Sequence, residues 1–150
     1  MNDRQPADGR VALVCSRFNE LIVERLEHGA RRALVRRGVT DDAIATFWAP
    51  GALELPIVAK AVADTHRFSA IVALGAVVRG STYHFEVVAD QSAAGLVRVA
   101  LDNGIVVTNG ILTVDTLEQA LDRAGGKSGN KGADAAMAAL DTLDVLSALR

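Results

Sequence analysis

The chain has 150 residues, with 16 Lys and Arg against 18 Asp and Glu, a formal net charge of −2, and 50% hydrophobic but only 4% aromatic residues. Near-neutral charge without a basic stripe interleaved with aromatics gives no reason to expect nucleic acid as a partner, and a single cysteine excludes an internal disulfide framework. No stretch reaches the roughly 18 apolar residues of a membrane span, and residues 1–9 lack an apolar signal core. A cytoplasmic protein without a membrane partner is expected.

At this length one domain is expected, able to bury roughly two thirds of its unfolded surface, with residues 1–9 loose. Residues 10–16 read as a strand; Cys15 lies in its apolar run and reads as a buried, inert thiol. A helix over 19–37 follows, with Ile22, Leu26, Ala30, Ala33 and Leu34 at helical spacing and Gly38 as its stop. A second strand, 43–49, ends at Pro50 and Gly51. The next helix carries Leu55, Val58, Ala59 and Val62 on one face, with Pro56 tolerable only in its first turn.

Residues 70–78 are apolar at every position, as in a parallel strand buried on both faces. The following helix begins near His84, turns Val88, Leu96 and Val99 inward, and closes at Asn103 and Gly104. A fourth strand spans 105–112, a short helix 116–123, a glycine-rich loop 124–130 and a last helix 131–148, with Ala133, Ala136, Met137, Leu140 and Leu143 as its apolar face. Strand and helix alternate four times. The fold class is therefore α/β: a three-layer sandwich with a four-stranded parallel sheet flanked by helices.

The loops after the first three strands open at one sheet edge, so residues 16–20 (SRFNE), 50–56 (PGALELP) and 75–86 (GAVVRGSTYHFE) converge there. Gly80, Ser81 and Thr82 offer backbone N–H groups and hydroxyls at a helix start, which favours an anion, or they shape a turn and a cap only. His84 beside that position suits a proton shuttle, or makes a local hydrogen bond. Phe18 is a flat face for a planar ring or a core staple; Glu54 binds hydroxyls or caps its helix. The glycine-rich loop lacks the ordered spacing of a P-loop, no dinucleotide fingerprint follows the first strand, and the three histidines lie too far apart for a metal site. Arg123, Lys127 and Lys131 concentrate positive charge, as a solvated loop also does.

Those three blocks, with 110–116 (GILTVDT), 118–125 (EQALDRAG) and 130–133 (NKGA), in order over nearly the whole chain, resemble the lumazine synthase family. The resemblance implies a flavodoxin-like sheet and condensation of 5-amino-6-(D-ribitylamino)uracil with 3,4-dihydroxy-2-butanone 4-phosphate in riboflavin biosynthesis, releasing phosphate and water, with no cofactor and no metal. It also implies that Phe18 stacks on the pyrimidine, that the backbone at Ala52 and Leu53 and the Glu54 carboxylate hold the ribityl chain, and that main-chain groups around Val77 and Val78 read the uracil edge. Ser81, Thr82 and a neighbouring subunit's Arg123 would hold the phosphate. Lys131 and Asp134 would line that shared site, and His84 would move protons. Asn109 stands where many members place an aromatic, Tyr83 replaces a frequent Pro or Thr, Leu53 a frequent Phe or Ile, and Asp134 a frequent Glu. Pentamers are implied, and the uninterrupted loop at 125–130 is similar to that of members forming a 60-subunit icosahedral shell. A flavin or lumazine carrier and a structural cage are the competing readings on the same fold.

Overall fold

The computed structural model describes residues 9–150; residues 1–8, which hold most of the segment expected to be loose, lie outside the described residues. Four parallel strands, β1 (Val11–Ser16), β2 (Ile44–Ala49), β3 (Ala70–Val78) and β4 (Val106–Val114), form one sheet in the order β2-β1-β3-β4. Helices α1 (Glu20–Arg36), α2 (Leu55–Asp64), α3 (His84–Asn103), α4 (Leu117–Asp122) and α5 (Lys131–Ala148) flank it.

Every residue of β1 is buried because its alternating side chains enter two different cores. Val11, Leu13 and Cys15 face one core with Leu26, Leu34, Ala136 and Ala139. Ala12 and Val14 face the other with Leu55, Ala59, Leu96 and Val99. Each fully buried Leu contributes about 1.5–3 kcal/mol of hydrophobic free energy, so Leu13, Leu26, Leu34 and Leu55 anchor both layers.

The chain leaves β1 over one face through α1 to reach β2, then crosses the other face through α2 to reach β3. The winding reverses between the neighbours β1 and β3, and a parallel sheet opens a crevice where it reverses. β3 also overruns β1: their pairing stops at Cys15 with Leu74, whereas β3 continues against β4 to Val78 with Val114. This stagger puts a step in the sheet edge.

Three expectations need correction. Residues 124–130 are not an open loop but a short antiparallel hairpin, β5 (Ala124–Gly126) and β6 (Gly129–Asn130). Gly125 at φ 102° and Gly129 at φ 88° supply the left-handed backbone that lets so short a turn close. The fourth strand runs to Val114 rather than 112, because the overrunning end of β3 pairs with it. The inward face of α5 holds the expected Ala136, with Ala133, Leu140 and Leu143 packed partly buried against the same core, but it is centred on Gly132, Ala135 and Ala139 as well, and the expected Met137 is left 38% exposed. Its cause is the contact between α1 and α5: a Cβ on Gly132 would strike the Leu26 carbonyl, and one on Gly29 would strike the Asn130 side chain. The two helices approach too closely for larger residues there, and the small side chains of α5 are turned inward.

Candidate functional site

A cavity of about 540 Å³ opens at the carboxyl ends of β1, β2 and β3. Phe18, Ala52, Leu53, Glu54, Val77, Val78, Thr82 and His84 all line it, so the three loops expected to converge do so. Pro50, Gly51, Ala76, Gly80, Phe85 and Val88 complete the wall. The surface is largely apolar, with a few polar groups at the rim, a composition suited to a planar organic ligand.

Phe18 is placed by its neighbours in the chain. Backbone N–H groups of Arg17 and Phe18 donate to the carbonyls of Ala49 and Pro50 at 2.8 and 3.1 Å, carrying the β1–β2 ladder past its formal end. The next residue, Asn19, takes a left-handed conformation (φ 62°) that turns the chain into α1, and its Nδ2 donates to the Ala76 carbonyl at 3.0 Å. That carbonyl lies on the stretch of β3 beyond its last pair with β1, so a side chain substitutes for the missing strand. The Phe18 ring is 72% exposed and does not serve as a core staple. Asn19 was not anticipated as a site residue; the signal was present, since Asn is among the few non-glycine residues that readily adopt this backbone.

The second wall is a 3-10 turn over Ala52–Glu54 that leads into α2. Glu54 occupies the position before that helix but its side chain makes no capping bond, leaving the carboxylate free at the cavity rim. A Cβ on Gly51 would come within 3.0 Å of Glu54 Oε1, so glycine here leaves the carboxylate its room.

The third wall is the start of α3. His84 is its first residue and stands exposed at the cavity, and its backbone N–H donates to Thr82 Oγ1 at 3.3 Å. Thr82 thus forms a local turn as well as lining the cavity. Ser81 is exposed and does not line it. The open N–H groups at the beginning of a 20-residue helix carry partial positive charge, a favourable place for an anion.

Arg123, Lys131 and Asp134 lie elsewhere, in a second crevice with Ser128 and residues 111–114 at the carboxyl half of β4. Asn109 lines a third, adjoining crevice with Asp90, Ser92, Thr113 and the same Lys131. Within one chain, therefore, most of the expected site residues fall into two groups that do not share a cavity, while Asn109 lines the third crevice and Ser81 lines none of the three. Arg123 Nη1 donates to the Gln119 carbonyl at 3.1 Å, and Asn109 Oδ1 accepts from the Ile111 N–H at 2.8 Å. Asn130 fixes the start of α5: its Oδ1 accepts from Ala133 N–H at 3.0 Å and its Nδ2 donates to the Arg25 carbonyl at 3.1 Å. Lys131 and Asp134 inherit their positions from that double tie.

Burial, with a smaller contribution from the nearby Glu27 charge, pushes the Cys15 thiol up to about 12, so it stays protonated and unreactive near neutrality. Among the described residues no group of three or more His, Cys, Asp or Glu side chains is placed to hold a metal ion, and no helix is long and apolar enough to cross a membrane.

A family model described as 6,7-dimethyl-8-ribityllumazine synthase matches residues 8–147. That span includes all three cavity loops, the β4 crevice and the hairpin between α4 and α5. Sheet order, cavity placement and this near-complete match lead to one conclusion: the chain belongs to the 6,7-dimethyl-8-ribityllumazine synthase family, a family of transferases in riboflavin biosynthesis.

Proposed function

We propose that the chain condenses 5-amino-6-(D-ribitylamino)uracil with 3,4-dihydroxy-2-butanone 4-phosphate in a site shared between neighbouring copies. The observation that carries this reading is the 540 Å³ cavity at the winding reversal, which unites Phe18, the 52–54 turn, Val77, Val78, Thr82 and His84 in a family-matched chain.

Phe18 stacks on the pyrimidine, supplying apolar contact and ring-on-ring geometry. Main-chain groups near Val77 and Val78 meet the uracil edge, while Ala52, Leu53 and the Glu54 carboxylate hold the ribityl hydroxyls. Ser81, Thr82 and the amides opening α3 take the phosphate, with Arg123 of a neighbouring copy as its cationic anchor; a guanidinium gives two directed, charge-assisted bonds to such a group. Lys131 and Asp134 accompany Arg123, and Asn109 adds an amide where a ring would otherwise lie. The separation of Arg123 from His84 within one chain supports a shared site, since each chain carries one of the two halves.

The reaction asks for positioning and proton movement. The uracil amine attacks the ketone carbon, water leaves to give an imine, phosphate is eliminated, and the ribitylamino nitrogen closes the ring with loss of water. His84 is the shuttle for these proton transfers. Both reactants are already reactive, so holding them in register supplies much of the rate, and effective molarities for oriented reactants reach about 10⁵–10⁸ M.

Incubating the purified protein with both substrates and following lumazine absorbance and phosphate release tests the activity directly. Product should form without added metal or redox cofactor. A chain that binds a lumazine tightly but makes none is a carrier, which overturns the enzyme reading. Light scattering on the same sample tests the assembly: a ring of five or a shell of 60 copies is expected under closed symmetry, and an active monomer would exclude a shared site.

A further inference from the structure

Arg79 follows the last residue of β3 and opens the segment that delivers Thr82 and His84 to the cavity. Its Nε donates to Asp115 Oδ1 at 2.9 Å, its Nη1 to Glu86 Oε2 at 2.6 Å, and its guanidinium carbon lies 4.4 Å from the centre of the Phe85 ring. Its own backbone N–H donates to the Val114 carbonyl at 2.8 Å. One side chain therefore joins the β3–α3 loop, the first turn of α3 and the loop after β4. The guanidinium also draws the Glu86 carboxyl below its usual range by hydrogen bonding to the ionised form.

Residues 80–83 are all exposed, and among the described residues no side chain of theirs bonds outside the 79–87 segment. Arg79 is the loop's side-chain tie to the body of the protein. Individual exposed ion pairs are weak, so the significance lies in geometry: a planar fork engages two carboxylates from different segments while stacking on a ring that itself lines the cavity. With two carboxylates on it, the group carries no spare charge for a substrate anion.

From this arrangement, and resting on the lumazine synthase reading, we propose that Arg79 is a positioning residue for that reaction. It holds the 80–84 loop so that His84 and the start of α3 meet the reacting atoms in register, and it does not touch substrate. Misplacement by about 1 Å can cost on the order of 100-fold in rate. Lysine keeps the charge but cannot span both carboxylates and the ring, so Arg79→Lys should not rescue.

The test is a kinetic cycle of wild type, Arg79→Lys, His84→Ala and the double variant, with each substrate varied. Arg79→Lys should lower kcat about tenfold, with both KM values within about twofold and an unchanged melting midpoint. On the His84→Ala background the same change should cost less than about twofold, because coupled residues are not additive. Asp115→Asn, which keeps the arginine and one of its two carboxylates, should show the same pattern in weaker form. A tenfold rise in KM for the butanone phosphate at constant kcat would make Arg79 a phosphate ligand; effects additive with His84→Ala, or wild-type kinetics in both variants, would equally overturn the proposal. A wild-type chain that makes no lumazine defeats the functional reading instead, and the His84 imidazole NMR signal then still reports on the loop. That signal should shift in Arg79→Lys, and an unmoved signal would count against a positioning role.

Discussion

The cavity at β1–β3 and the crevice beside β4 differ in kind. The first is a mainly apolar pocket walled by three loops of one chain, while the second is mainly polar and presents Arg123, Lys131 and Asp134. An apolar wall can recognise a ring by contact, which tolerates some play. A charged group acts on a small anion only when it lies within hydrogen-bond distance. On the proposed reading, the first region recognises the ring with groups of one chain, whereas the second lends its charge to the cavity of a neighbouring copy.

Variants can break that division of labour. The largest effect is expected from Arg123→Ala. Losing hydrogen bonds to a charged group costs about 1.5–3 kcal/mol, so kcat/KM for the butanone phosphate should fall by about 10–150-fold, while titration with a lumazine-type ligand gives an almost unchanged Kd. Equal losses for both ligands would mean that the two regions are not specialised. His84→Ala comes next. Because orientation supplies much of the rate, kcat should fall by about ten- to thirtyfold, short of the 10²–10⁴-fold typical where general acid–base catalysis dominates. Complete loss in single-turnover measurements would move the chemical burden from positioning to the imidazole. Phe18→Ala should act least and in the opposite sense to Arg123→Ala: ring–ring contact is worth about 0.5–1.5 kcal/mol, so affinity for the pyrimidine substrate drops by about two- to tenfold in calorimetry, with use of the phosphate substrate intact.

How far such a division is legible in the sequence depends on the range of the interaction responsible. An unbroken apolar run marked β3 as buried on both faces, and β3 and α5 fall within the bounds that periodicity and capping residues indicated. Convergence of the three cavity loops followed from parallel topology alone. Contacts between distant segments were not legible. Gly29 and Gly132 are separated by most of the chain, and only the meeting of α1 with α5 explains why Met137 points outward. The pairing at 124–130 needed the left-handed glycines to be seen in place. Arg79 gave no periodic signal, since its partners are seven and 36 residues away. The separation of Arg123 from His84 was legible only through the family resemblance, because the two crevices that hold them are assembled from segments distant in sequence.

The step in the sheet edge has an evolutionary consequence. Where β3 outruns β1, its flank presents peptide groups with no neighbouring strand, and Asn19 claims only the Ala76 carbonyl. A guest lying along this ledge is met by main-chain atoms, which all residues share except for proline's missing N–H. Substitutions at the ledge can therefore reshape its contour through many generations while its donors and acceptors stay where they were.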